Sequence, residues 1–167
     1  TFVFLMMVVA VIPAYNEEKT IGRVVREARS FVEAVIVVDD GSTDSVSAIA
    51  KECGAFVYRH AVNRGLGAAL GTGIAAALAR GADAIVTMDA DGQHDPRDIP
   101  RLVAPLRNDT ADVVIGVRSR TRGTMPFSRM VANTLANSIT WLLFGIWSAD
   151  SQSGFRAFSA DAAAKLQ

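Results

Sequence analysis

The chain has 167 residues, half of them hydrophobic and a fifth charged, which is enough to bury a real core and too apolar for a disordered chain. Lys plus Arg equals Asp plus Glu at 17 each, so a general nucleic-acid binder, which carries a basic excess, is not expected. A single cysteine, Cys53, excludes an internal disulfide and reads as a small buried apolar residue on a helix.

The opening TFVFLMMVVAVIP has no basic start and no small-residue cleavage site, and its eleven apolar residues before Pro13 are too few to span a bilayer as a helix. VVAVIPA therefore reads as a first buried strand. Asn16 is expected to cap the helix that follows, with Glu17 and Glu18 in its first turn, where the helix dipole favours acids. Ile21, Val24, Val25, Ala28 and Val32 fall on one helical face. AVIVVDD is a second strand, GSTDS a turn, and Val46, Ile49, Ala50 and Cys53 mark a short helix. AFVYRH is a third strand, GLGAALGTGIAAALARG a helix of small residues closed by Gly81, and AIVTMD a fourth strand.

Asp95 caps the next helix, with Pro96 at its first position. DVVIGVR is a fifth strand, followed by a basic loop from Ser119 to Pro126 and a helical stretch, SRMVANTLANSITWLLFGI, whose tryptophans read as core. SGFRAFS is a sixth strand, and Ser159 caps a last helix. The chain starts at Thr1 and stops inside that helical pattern, which reads as a piece of a longer protein.

This alternation predicts an α/β fold, a mostly parallel Rossmann-like sheet with helices on both faces. Such sheets bind ligands at the carboxyl ends of their strands. PAYNEE, DDGSTD, DADGQHD and RSRTR follow strands one, two, four and five, and all should open onto one edge.

DADGQHD carries the clearest chemistry. Asp89 and Asp91 lie two apart, so both can face one side of an extended segment. Like charges this close need a cation among them. Mg²⁺ takes one or two carboxylates and completes its shell with water and substrate phosphate, so a D-x-D at a strand end suits a metal–diphosphate site. Gln93 or His94 can add a ligand or a supporting hydrogen bond, while Asp95 reads as a cap. An EF-hand does not fit, because the glycine comes too early and the closing acid is missing.

Asp39 ends its strand on the functional edge and reads as a ligand contact, whereas Asp40 and Asp44 read as turn and cap residues. GLGAALG is one residue off the dinucleotide fingerprint and follows the wrong strand, so its glycines read as helix-packing positions. Arg118, Arg120, Arg122 and Arg129 form a basic run, of which Arg118 is best placed for phosphate, and Arg156 is a further candidate.

Six stretches in this order, VIPAYNEE, VVDDGSTD, NRGLGAALGTGI, MDADGQHDP, VIGVR and DSQSGFRAFS, resemble the inverting GT-A glycosyltransferases, and within them the dolichyl- and polyprenyl-phosphate sugar synthases. The resemblance runs from Val8 to Ser159 and implies one GT-A catalytic domain over residues 1–167. It implies a GDP- or UDP-linked sugar donor, a divalent cofactor (Mg²⁺ or Mn²⁺) and a polyprenyl or dolichyl phosphate acceptor. It also implies a peripheral position on the cytoplasmic face of the membrane, with any anchor outside this chain, and it admits a homodimer.

By position, Pro13, Ala14, Tyr15 and Glu17 match the nucleotide-binding segment, and Val37 and Asp39 the base- and ribose-contacting strand end. Asp89, Ala90, Asp91 and Gln93 match the D-x-D region, with Asp89, Asp91 and Gln93 as metal ligands. Arg118 matches an arginine near the diphosphate, Arg129 a basic residue beyond it, and Asp150 the acid near the acceptor. The implied catalytic set is Asp91, Arg118 and Asp150, the last as a general base or as a residue that orients arginines.

That chemistry is coherent. Breaking the anomeric C–O bond leaves charge on a nucleoside diphosphate, which a divalent ion and Arg118 can neutralise. A lipid phosphate is already ionised near pH 7 and needs no base, whereas a sugar hydroxyl does. The rival readings are a transferase of the same fold with a saccharide acceptor and a phosphoacceptor receiver module. The receiver fits less well, because the acidic pair follows strand two and no lysine ends a late strand.

Overall fold

Side-chain alternation in the strands builds two cores, one on each face of the sheet. In β1 (Val8–Ala14), Val8, Ala10, Ile12 and Ala14 enter one core and Val9 and Val11 the other. β2 (Ala34–Asp39) divides in the same way, with Val35 and Val37 on the first face and Ile36 and Val38 on the second. Strands buried on both faces read as continuous apolar runs, which is why VVAVI and VIVV lack polar alternation. The structure, a computed structural model, describes residues 6–116 and 154–166.

The remaining elements are α1 (Glu18–Ala28), α2 (Val46–Glu52), β3 (Phe56–Arg59), α3 (Leu66–Ala79), β4 (Ala84–Thr87), a 3₁₀ turn (Pro96–Asp98), α4 (Ile99–Arg107), β5 (Val113–Ile115), β6 (Arg156–Ser159) and α5 (Ala160–Ala164). The sheet order is β3-β2-β1-β4-β6-β5. β3, β2, β1 and β4 are parallel neighbours. α1, α2 and α4 supply the first core, and α3 and α5 the second.

β6 is the exception to the parallel pattern. It pairs antiparallel with both β4 and β5, setting Arg156 opposite Thr87 on one side and Ile115 on the other. The start of β6 therefore lies at the edge where the parallel strands end. As expected, Ser159 caps α5 by accepting from the Ala162 amide at 3.2 Å, and Asp95 caps the 3₁₀ turn by accepting from the Arg97 amide at 3.0 Å, with Pro96 first in the turn.

Three expectations are corrected. Asn16 does not cap α1. It sits in the left-handed region at φ 56°, and its side-chain oxygen accepts from the Thr43 amide at 2.9 Å. The α1 terminus is served instead by Asp44, which accepts from the Glu18 amide at 2.9 Å, while Glu18 in return accepts from the Ser45 amide at 3.1 Å. Asp44 also accepts from the Val46 amide at 3.2 Å, the local cap expected of it, so the two helix starts share their acids through a reciprocal contact that no local motif announces.

Cys53 is half-buried rather than buried, and its sulfur accepts from Arg26 at 3.0 Å. The packing glycine of α3 is Gly73, where a Cβ would overlap the Val11 side chain; above Gly65, Gly67 and Gly71 there is open space. The basic loop, the helical stretch after it and its tryptophans lie outside the described residues.

The α3 glycines give a paired prediction. Gly73→Ala is expected to destabilise the fold by about 1–3 kcal/mol through overpacking against Val11. Gly71→Ala, in a helix interior with free space, is expected to stabilise it by about 0.5–1 kcal/mol. Urea denaturation of both variants checks the opposite signs.

Candidate active site

Strand register places the polar loops together. Ala14 pairs with Asp39 and Asp39 with Arg59, so β1, β2 and β3 end side by side. β4 ends at Thr87, beside the start of β6. The segments 15–17, 39–44, 59–65, 89–95 and 154–156 therefore share one edge, as the sequence led us to expect for the carboxyl ends of these strands.

In the first segment Pro13 and Ala14 are strand residues, and the Ala14 carbonyl accepts from the Asp40 amide at 2.9 Å. Tyr15 is 48% exposed on the edge. The Glu17 carboxylate accepts from the Thr20 hydroxyl at 3.0 Å. The Asn16 amide donates to Ser42 Oγ at 3.0 Å, stitching this loop to the next.

The second segment differs from its simple reading. Val37 is fully buried in the core, and its backbone stands in register between Ile12 and Val57. Its contribution is to packing beneath the edge rather than to a surface a ligand could touch. The Asp39 side chain is also enclosed: it accepts from the Ser42 amide at 2.8 Å and from the Ser47 hydroxyl, with Arg59 Nε 3.5 Å away. Burial pushes its carboxyl up, but Ser42, Ser47 and the Arg59 cation outweigh burial and hold it below the ordinary carboxylate range.

Asp40 is the loop organiser that the sequence suggested, but for a different loop. It is nearly inaccessible and accepts from the Arg64 and Gly65 amides at 2.9 and 2.8 Å, at the start of α3. His60 Nδ1 lies 2.6 Å from the same carboxylate, and His60 Nε2 lies 2.9 Å from Thr72 Oγ1. Burial raises the Asp40 pKa, yet the amides and His60 prevail and lower it. Gly41 closes this corner at φ 76°, where any Cβ would overlap the backbone of Val62 and Asn63. Arg59 and His60 had not been singled out in the sequence; their position at the end of the third strand was the available signal.

The third segment carries the D-x-D. Met88 still donates to β1, through the Val11 carbonyl at 3.1 Å, and Asp89 then leaves the sheet half-buried. Ala90 is buried in the first core, so Asp89 and Asp91 flank an inward-facing residue. Asp91 Oδ1 accepts from the Gln93 amide at 2.9 Å, and Gly92 turns the chain at φ 76° with the Arg23 guanidinium packed against it. Gln93 is exposed at the turn. These oxygen donors fit a hard divalent ion held by few protein ligands. Among the described residues, no three His, Cys, Asp or Glu side chains form a closed cage.

Asp89 is packed closely by two neighbours. His94 Nε2 lies 2.8 Å from Asp89 Oδ2. A Cβ at Gly154 would also overlap the Asp89 carboxylate. The Gly154 carbonyl accepts from Thr87 Oγ1 at 2.8 Å, which ties the start of β6 to the end of β4. Arg156 is half-buried on the same edge. Arg118, Arg129 and Asp150 lie outside the described residues.

The model of the family described as glycosyl transferase family 2 matches residues 9–167. The UDP-N-acetylglucosamine--dolichyl-phosphate N-acetylglucosaminyltransferase of Methanococcus voltae is 38% identical over 177 residues, covering 93% of this chain and 70% of that protein. The undecaprenyl-phosphate mannosyltransferase of Micrococcus luteus is 35% identical over 166 residues, covering 93% and 68%. Among solved structures, glucosyl-3-phosphoglycerate synthase from Mycobacterium tuberculosis in complex with Mn²⁺, uridine-diphosphate-glucose and phosphoglyceric acid superposes with a TM-score of 0.76 at 27% identity. That match covers 93% of this chain and 57% of the solved one. The chain thus spans about two thirds of the length of the curated relatives it matches.

Two outcomes follow from this geometry. Asp40→Asn is expected to cost about 1.5–3 kcal/mol at pH 7, the scale of hydrogen bonds to a charged group. Because the folded pKa is depressed, wild type keeps this advantage above the unfolded carboxylate pKa of about 3.9 and loses it as pH falls through the folded value. Urea denaturation at pH 7 and at pH 3 checks the sign, and a gap that widens in acid contradicts it. Gly154→Ala is expected to displace the Asp89 carboxylate and to destabilise the fold by about 1–3 kcal/mol through overpacking; urea denaturation reads it.

Proposed function

Because this chain belongs to glycosyl transferase family 2, we propose that residues 1–167 form the catalytic domain of an enzyme that moves a sugar from a GDP- or UDP-linked donor to a polyprenyl or dolichyl phosphate. The anomeric carbon is inverted, and Mg²⁺ or Mn²⁺ is held by Asp89, Asp91 and Gln93. The observation that carries this reading is the D-x-D turn at the sheet edge, next to the loops 15–17 and 39–44 and to the start of β6. The names of the M. voltae and M. luteus relatives, both lipid-phosphate sugar transferases, support the acceptor class. The Mn²⁺ and uridine-diphosphate-glucose named with the M. tuberculosis enzyme support the donor class and the ion.

When bound, the divalent ion supplies charge neutralisation to the departing diphosphate. The chain's own residues do the rest. Asp89 and Asp91 provide the carboxylates, and Gln93, just past the Gly92 turn, provides a side-chain oxygen. The loops of Tyr15 and Glu17 and of Asp39 border the donor's nucleoside. A base contact from Asp39 requires the Ser47 hydroxyl to yield, and the depressed Asp39 pKa keeps it an acceptor throughout. By their match to the family, Arg118 is assigned to the diphosphate and Arg129 is a basic residue beyond it; both lie outside the described residues.

A lipid phosphate attacks as an anion, and Asp150 then has only arginines to orient; with a saccharide acceptor Asp150 would serve as the base. Among the described residues no helix is long and apolar enough to cross a membrane. The enzyme is proposed to act from the inner membrane face, where the lipid phosphate lies.

Isothermal titration with GDP and UDP, with and without Mn²⁺, tests the donor site. One nucleotide is expected to bind in a Mn²⁺-dependent way, and the reading fails if neither does. Asp91→Ala is expected to abolish both that dependence and turnover while leaving the thermal transition in place. Product analysis with polyprenyl phosphate against saccharide acceptors then decides between the two acceptor classes.

A further inference from the structure

His94 is almost wholly enclosed, with 3% of its side chain exposed, while its partner Asp89 keeps 31%. A carboxylate can only accept, so the hydrogen in the 2.8 Å contact sits on His94 Nε2. The ring is stacked on Phe155 with centroids 5.1 Å apart and planes 24° from parallel. Phe155 is buried, and its carbonyl accepts from the Gly116 amide at 2.8 Å, the bond that continues the β5–β6 ladder. The imidazole is therefore held between Phe155 and Asp89, with Nε2 directed at the carboxylate.

We propose that His94 is a positioning residue of the ion site: it does not touch the ion, but fixes the Asp89 carboxylate that does. This rests on the reading of Asp89, Asp91 and Gln93 as ligands. The physical need is plain. Asp91 lies two residues from Asp89, and like charges at that spacing push side chains apart. The N–H donor of His94, 2.8 Å from Asp89 Oδ2, opposes that displacement. Ligating carboxylates are commonly held by such hydrogen bonds, and loss of one typically lowers metal affinity 10–100-fold. Gly154 also packs close against the carboxylate, so His94 and Gly154 together restrict the rotation of Asp89.

Two variants separate the hydrogen bond from the packing. His94→Phe keeps a ring on Phe155 and removes the donor. His94→Gln loses the stack and keeps an N–H donor near the Nε2 position. Mn²⁺ affinity in the presence of UDP or GDP, read by electron paramagnetic resonance of the free ion, needs no turnover. His94→Phe is expected to weaken it about 10–100-fold, with His94→Gln restoring most of the loss, whichever of the two melts lower. A His94→Phe protein with wild-type affinity overturns the assignment. Wild type that takes up no Mn²⁺ with either nucleotide overturns the ligand reading beneath it, a distinguishable failure.

The wild-type protein offers a test independent of variant folding. The chain has two histidines. Nitrogen-15 correlation spectra are expected to show His94 protonated on Nε2 and His60, whose Nδ1 faces Asp40, protonated on Nδ1. Adding Mg²⁺ with nucleotide is expected to shift the His94 signal and spare His60. A His94 bare at Nε2 overturns the proposal.

Discussion

The reversed pairing of β6 between β4 and β5 is the constraint on which the site depends. Parallel strands bring their carboxyl ends to one edge, but they bring no amino end there. β6 does, because it runs against both neighbours. The residues leading into it thus arrive beside the D-x-D, and the hydrogen bond between Thr87 and Gly154, 67 positions apart in sequence, fastens them. Gly154 and Phe155 then bear on the acidic turn, one against Asp89 directly and the other through His94.

The same edge concentrates carboxylates, and the fold treats them in two ways. Asp39, Asp40 and Asp44 are saturated by backbone amides, hydroxyls and neighbouring cations. Hydrogen bonding of this kind favours the charged form strongly enough to overcome burial at Asp39 and Asp40. These acids lock the loops after β2 and β3 against each other and against the start of α1. Asp91, half-buried, and Gln93, exposed, stand instead on a turn shaped by Gly92. A rigid acidic frame beneath a turn with accessible oxygen donors is a sound arrangement for holding a doubly charged ion against a diphosphate.

The two cores have different roles in this frame. The first, under α1, α2 and α4, holds Ala14, Met88, Ala90 and Phe155, and so anchors the roots of three functional loops. The second, under α3 and α5, allows close helix approach through Gly73 and carries none of those roots. Substitutions on the first face should therefore reach the site more readily than substitutions on the second.

Much was legible in the chain itself. Apolar runs bounded by PAYNEE, DDGSTD and DADGQHDP specify buried strands ending in polar loops, and the βαβ order places those ends on one edge, because consecutive parallel strands leave little topological choice. The caps at Asp95 and Ser159 were equally local, since a cap contacts amides two or three residues away. What the tertiary structure decided was long-range. The direction of β6, the exchange of capping acids between Glu18 and Asp44, the attachment of Asp40 to the start of α3 and the burial of Val37 each depend on a partner far along the chain. Asp89 and His94 are close in sequence, but only the packing of Phe155 turns that proximity into an aimed hydrogen bond. Periodicity records which residues face a core; it carries no record of which distant segment will stand opposite them.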